Sequence, residues 1–113
     1  VSAPTFQLYV RDWYVSTRGL TAEARGVFMD LLCLGWDHDG IPDDQKVLAG
    51  MVGESPARFK RIWAEIEPRW VAAEKGRLRN PRQERQRAEL MELREKKRAA
   101  GRASAAARNG SSR

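Results

Sequence analysis

Phe6, Leu8 and Val10 alternate with Thr5, Gln7 and Tyr9. This period of two predicts a half-buried strand over 5–10. Residues 11–19 read as a connector anchored by Trp13, Tyr14 and Val15. The period then changes. Ala24, Val27, Phe28, Leu31 and Leu32 recur at i, i+3, i+4, i+7 and i+8, which is one apolar face of a helix. Thr21 supplies its N-cap, and Glu23 places a carboxylate in the first turn, where the helix dipole favours it. The helix ends near Trp36, because Asp37-His38-Asp39-Gly40 is turn chemistry. Gly26 inside it costs about 1 kcal/mol against Ala, which points to close approach of another segment.

Ile41-Pro42 leads into Asp43-Asp44, which cap a short helix over 43–52. Val47, Leu48 and Met51 give that helix an apolar side, and Gly53 stops it. Ser55-Pro56 opens a third helix as cap and first-turn proline. Phe59, Ile62, Trp63 and Ile66 form its apolar face, and Pro68 ends it. Residues 70–73 and 76–79 flank Glu74-Lys75 as a hairpin with a Gly-containing turn, Leu78 facing the core. Asn80-Pro81 repeats the cap-then-proline signal and starts a fourth helix. Its apolar content (Ala88, Leu90, Met91, Leu93) is thin, so it is marginal without a partner. Glu92 and Lys96 form an i, i+4 pair in the favourable order. From Gly101 the chain is Ala, Ser, Gly, Asn and Arg, a composition expected to be disordered when unbound.

Strand, three helices and hairpin is the element order of a winged helix-turn-helix. The expected fold is therefore mainly α with a small β-hairpin. A winged-helix-like domain spans 1–80, a charged helix 81–100 and a basic disordered tail 101–113.

Composition sharpens this division. The length, 113 residues, suits one domain. All four Trp and all three Phe lie before residue 71, so the first two thirds of the chain build the core. Residues 1–79 hold eleven Lys/Arg and eleven Asp/Glu, whereas 80–113 hold ten and four, so the whole net charge of +6 sits in the C-terminal third. A neutral globule with a cationic extension suits a polyanionic partner; a solvated charged helix is the plainer reading. Cys33 stands alone among Leu31, Leu32 and Leu34, which predicts a buried thiol and excludes an internal disulfide or a cysteine metal cage. No apolar run is long enough to span a membrane. The N-terminus lacks the pattern of a signal peptide, so a cytoplasmic location is expected.

Catalytic chemistry finds little support. Asp37-His38-Asp39 reads as a turn rather than a metal site, and Asp43-Asp44 as a cap rather than an acid pair. No glycine-rich phosphate loop is present. The expectation is a non-enzyme without cofactor or metal. Nucleic-acid binding finds more. Arg58 and Arg61 share one face of the third helix with Glu65, and Lys60 lies beside them. In a major groove these cations reach guanine edges or phosphates. In the hairpin, Lys75 sits at the turn, and Arg77 and Arg79 alternate onto one side, as a wing over a phosphate backbone requires. Each of these two sets reads equally well as a solvated surface. In the tail, Arg94, Lys96, Lys97, Arg98, Arg102 and Arg108 face only Glu95 from residue 94 onward. That signal is specific for a polyanion and carries no sequence preference.

Taken together, Phe6 to Trp13 with Asp12-Trp13, Thr17 to Leu20, Gly26 ahead of Leu31-Leu32 and Trp36, and Gly40-Ile41-Pro42-Asp43-Asp44 ahead of Leu48-Ala49 resemble the YdaU-like domain of phage and prophage proteins. The Arg- and Glu-rich helix and the Ala100-Gly101-Arg102 and Ala107-Arg108 repeats are similar to segments that follow that domain. The resemblance implies a fold like winged-helix replication initiators, and a role in origin binding or helicase loading. It implies no catalytic residues, and Asn80-Pro81-Arg82 departs from its pattern. Two hypotheses stand. One is a binder of duplex DNA in phage replication, with a transcriptional regulator on the same fold as its variant. The other is a protein-interaction adaptor for a replicative helicase or its loader, with Leu90, Met91 and Leu93 packing on that partner or on a second copy.

Overall fold

A computed structural model describes residues 3–111 of the chain. Val1, where the sequence starts, and residues 112–113 of the expected tail lie outside the described residues. Five helices and three short strands follow in the order α1 (Val10–Ser16), α2 (Ala22–Asp37), β1 (Ile41–Pro42), α3 (Gln45–Val52), α4 (Pro56–Ile66), β2 (Val71–Ala72), β3 (Arg77–Arg79) and α5 (Pro81–Ser111).

The helix starts follow from side chains that satisfy orphan amides. Thr21 Oγ1 accepts from Ala24 N, Asp44 from Lys46 N and Val47 N, Ser55 from Arg58 N, and Asn80 Oδ1 from Gln83 N. Gly53 ends α3 at φ 76°, in the left-handed region where a side chain is strained. α2 buries Ala24, Val27, Phe28, Leu31, Leu32, Gly35 and Trp36 against α4, which contributes Phe59, Ile62, Trp63 and Ile66. Leu48 and Ala49 of α3, Ile41, Trp70 and Leu78 complete one core.

The sheet is antiparallel in the order β1-β3-β2, with Ile41 opposite Leu78 and Ala72 opposite Leu78 on the other edge. A helix, a strand, two helices and a hairpin whose second strand pairs centrally with the first strand is winged-helix topology. α3 and α4 are the helix-turn-helix and β2–β3 the wing. The expected mainly helical fold with a small hairpin is thus what forms, with Ile41–Pro42 as a third strand that the pattern did not reveal.

Four expectations change. Residues 5–10 are not a strand and residues 11–19 are not a plain connector: the chain is irregular up to Tyr9 and then forms α1, and of the expected anchors Trp13 packs on the core while Tyr14 and Val15 are exposed. No strand edge receives this arm. The Gln86 side-chain amide takes that place, accepting from Gln7 N at 3.2 Å and donating to Gln7 O at 2.9 Å. Cys33 is exposed, because it falls on the side of α2 away from the Leu31, Leu32 and Trp36 face. Gly26 is exposed as well, with nothing near its α-carbon for a side chain to meet. The close approach occurs instead at Gly35, where an added Cβ would stand 3.0 Å from Gln83 Oε1. Finally, α5 continues through Gly101 to Ser111. Ala99, Ala100, Ala103 and Ala105–Ala107 carry the strongest helix propensity of any residue type and outweigh Gly101 and Gly110.

Candidate nucleic-acid interface

α4 occupies the position of the second helix of the helix-turn-helix. Its buried stripe leaves Arg58, Lys60 and Arg61 exposed on the outer side. Glu23, in the first turn of α2, holds two of them: Arg58 Nη2 at 2.9 Å and Arg61 Nη2 at 3.2 Å. Arg58 also meets Glu54 at 3.3 Å. Glu65, on the same face, accepts from Thr21 N and Thr21 Oγ1 at 3.0 and 2.9 Å. The backbone amide first, and then the hydroxyl, hold its carboxyl below the usual range. This face therefore ties α4 to the start of α2. Such exposed pairs contribute at most about 1 kcal/mol each, so a phosphate competes for these arginines on even terms. Lys60 has no ion-pair partner among the described residues.

The wing is built differently. Lys75 stands at its tip with φ 58°, beside Gly76 at φ 66°. Arg77 and Arg79 do share a side of β3, opposite buried Leu78, but that side faces the turn after α2 and the start of α5. Arg77 donates to the carbonyls of His38 and Asp39 at 2.8 and 3.2 Å. Arg79 meets Asp39 at 2.8 Å, Glu74 at 2.7 Å and Glu84 at 3.1 Å, and Arg87 joins Asp39 and Glu84 at 3.6 and 3.4 Å. Hydrogen bonding by Arg79 is the main reason that Asp39 and Glu74 titrate below their ordinary ranges. Arg77, Arg79 and Arg87 against Asp39, Glu74 and Glu84 make a locally neutral cluster. Lys75 is the wing's exposed cation.

The third surface is α5, whose first turns are anchored by polar residues. Buried Gln83 donates to the Leu32 carbonyl at 2.6 Å. Arg87 lies over the Trp36 ring at 4.5 Å and donates to the Gly35 and Trp36 carbonyls at 3.0 and 3.2 Å. These are last-turn carbonyls of α2, where orphan acceptors and the helix dipole both favour a cation. Hydrophobic periodicity overlooks Gln83, Gln86 and Arg87 because they are polar. Their i, i+3, i+4 spacing, continued by Leu90, is the signal that marks them.

Leu93 and Arg94 still border the N-terminal arm, and beyond them the helix leaves the domain; every side chain from Met91 to Gly110 is exposed except half-buried Ala105. The segment 94–111 carries six Lys/Arg against one Glu. At about 100° per residue, Arg94, Lys97, Arg98, Arg102 and Arg108 fall on one face roughly 140° wide. Lys96 lies on the other side and pairs with Glu92 at 3.4 Å. Glu95, at the edge of the cationic face, reaches Arg98 at 3.7 Å and Arg102 at 3.1 Å. Arg108 bonds Ser104 at 3.2 Å. Arg94 and Lys97 have no ion-pair partner among the described residues. The twelve cations singled out in the sequence thus fall into an α4 group, a wing group and an α5 group; Arg79 is withdrawn among three carboxylates, Arg77 is held by two carbonyls, and exposed Arg58 bridges Glu23 and Glu54.

No group of side chains among the described residues is placed to hold a metal ion, and none of their helices is long and apolar enough to cross a membrane. The family model described as "Protein of unknown function (DUF1376)" matches residues 4–88. The chain belongs to this family. The match runs from the N-terminal arm to the anchored turns of α5 and stops at Ala88, so the DUF1376 region is the winged-helix body and the cationic half of α5 lies beyond it. No curated protein and no solved structure matches the chain.

Proposed function

We propose that this chain is a DNA-binding protein without catalytic activity, acting in the initiation of phage or prophage DNA replication in the cytoplasm. The observation that carries the binding reading is the projecting half of α5. Five cations lie on one face of a helix that has left its domain, with one carboxylate at the edge of that face. Buried nowhere and in excess over local acids, this face is suited to a phosphate backbone. The body adds α4, with Arg58, Lys60 and Arg61, and the wing tip, with Lys75, in the arrangement by which helix-turn-helix proteins enter a major groove and contact the backbone beside it. The role in phage replication rests on the resemblance to the YdaU-like domain.

The α5 face supplies affinity and α4 supplies register. Replacing Arg94, Lys97, Arg98, Arg102 and Arg108 together with Gln should leave the body intact, because all five side chains are exposed. Fluorescence anisotropy on a labelled duplex is the test. Loss of at least about tenfold in affinity at low salt is expected, and unchanged affinity refutes the reading. An adaptor role draws on the exposed Met91 and Leu93 beside the α5 anchor and on the neutral charge of residues 1–79. It requires a protein complex that survives deletion of 94–113.

A further inference from the structure

Gln83 of α5 donates to the Leu32 carbonyl, and Arg87, one turn later, donates to the carbonyls of Gly35 and Trp36, one turn later along α2. The two helices therefore run in the same general direction, and α5 continues past the C-terminal end of α2. The described residues extend over 71 × 32 × 21 Å, as a body with one projecting helix requires. The cationic face has a definite phase on that helix. At about 100° per residue, the anchors Gln83, Gln86, Arg87 and Leu90 span an arc of roughly 100°. Arg94, Lys97 and Arg108 fall inside the same arc, and Arg98 and Arg102 lie past one edge of it. Arg94 accordingly lines, with Leu90 and Leu93, a cleft against Trp36 and the N-terminal arm. The side of α5 that packs on the body thus continues, beyond the body, as the cationic side. It looks into the corner between the projecting helix and the end of the body formed by Trp36 and the arm.

The cations of α4 stand at the other end of α2. Glu23, in its first turn, holds Arg58 and Arg61, whereas the carbonyls that hold Arg87 belong to its last turn. The step from Glu23 to Trp36 is roughly 20 Å along the helix, and Arg94 lies about 10 Å beyond Arg87 along α5. Between the two groups lies the core, with Phe28 and Leu31 of α2 buried in it. A straight duplex seated on the cationic face of α5 meets the end of the body and comes no nearer to α4. We infer that α4 and α5 hold two separate stretches of duplex DNA and that the chain bridges them. This rests on the DNA reading above and gives it a geometry. The two stretches are separate molecules when the duplexes are short and parts of one bent molecule when the duplex is long. The α4 contact is the weaker, because Glu23 competes with phosphate for Arg58 and Arg61, and Lys60 alone in that group has no ion-pair partner among the described residues.

The experiment mixes donor-labelled and acceptor-labelled duplexes of about 12 base pairs, a little over one turn, in equal amounts with limiting full chain at low salt. Energy transfer reports duplexes brought together, and sedimentation gives the mass of the complex. The expected complex is one chain with two duplexes. Replacing Arg58, Lys60 and Arg61 with Ala should bring energy transfer to background while one duplex stays bound on α5, its affinity within about twofold of the wild type, because so short a duplex reaches only one of the two groups. These three side chains are exposed, so thermal melting of the variant should match the wild type. Glu23→Gln releases Arg58 and Arg61 together and should raise the affinity for the second duplex by about threefold or more. One duplex per wild-type chain overturns the inference and leaves the DNA reading standing. Energy transfer that survives the α4 replacement overturns it as well, since the bridge then comes from α5 alone or from self-association. A wild-type chain that binds no duplex at all refutes the DNA reading, and the bridging falls with it.

Discussion

Gly26 and Gly35 lie on the same helix, and the same substitution should move stability in opposite directions. In a helix interior Ala is favoured over Gly by about 1 kcal/mol, less near an end. Gly26 is exposed and a Cβ there meets nothing within 4 Å, so Gly26→Ala should stabilise the fold by about 0.5–1 kcal/mol. At Gly35 a Cβ stands 3.0 Å from Gln83 Oε1 and 3.6 Å from both Ile41 Cγ2 and Trp70 Cη2. Gln83 is 4% exposed and cannot swing away without giving up its 2.6 Å bond to the Leu32 carbonyl. Breaking a buried bond and stranding its partners costs about 1–3 kcal/mol. Gly35 is also two residues from the end of α2, so little propensity is gained in return. Gly35→Ala should therefore destabilise by about 1–2 kcal/mol, a gap of roughly 2 kcal/mol between the two variants. Urea unfolding followed by tryptophan fluorescence reads both values, and an unchanged slope confirms that the unfolding reaction is the same. Combining Gly35→Ala with Gln83→Ala frees the space, so the double variant should be more stable than the sum of the singles by about 1 kcal/mol. Gly35→Ala as stable as the wild type, or additive with Gln83→Ala, would refute the packing argument.

Asp44→Ala removes the acceptor for Lys46 N and Val47 N at the start of α3 and should cost about 1 kcal/mol in the same unfolding assay. Asp39 and Glu74 are held below their ordinary values of 3.8 and 4.5, first of all by hydrogen bonds from Arg79. The stability they contribute is complete above those ordinary values and is lost as pH falls through the lower folded-state values. Stability measured from neutral pH downward should thus be level to about pH 5 and then decline. Arg79→Gln should be less stable at neutral pH, with a shallower acid decline that converges on the wild type.

The features written in local sequence were legible before any coordinates. Thr21, Asp44, Ser55 and Asn80 cap the helices they were expected to cap. The Phe59, Ile62, Trp63 and Ile66 stripe is buried, and the Glu74–Gly76 turn joins a real hairpin. The misses involve partners distant in the chain. The arm at Gln7 pairs with a side chain 79 positions away, which no local alternation encodes. β1 is two residues long and has no period to detect. The apolar neighbours of Cys33 suggested burial, yet the helix places it outward. In the candidate interface the charge segregation was visible from composition alone, and the helical phase of the α5 cations follows from their spacing. Which cations remain available was not visible, because the Arg79 partners Asp39 and Glu84 come from elements on either side of the wing.

The central claim is that a rigid cationic face binds duplex DNA through its phosphates. Its most direct test is the affinity of the full chain for a labelled duplex, with single-stranded DNA and RNA alongside, over roughly 50 to 300 mM salt. Five cations on one face of α5 give an expected slope of log affinity against log salt of about −4 to −5, with duplex preferred and further weakening on Arg58→Ala, Arg61→Ala or Lys75→Ala. No binding at low salt, or binding indifferent to salt, would contradict the claim.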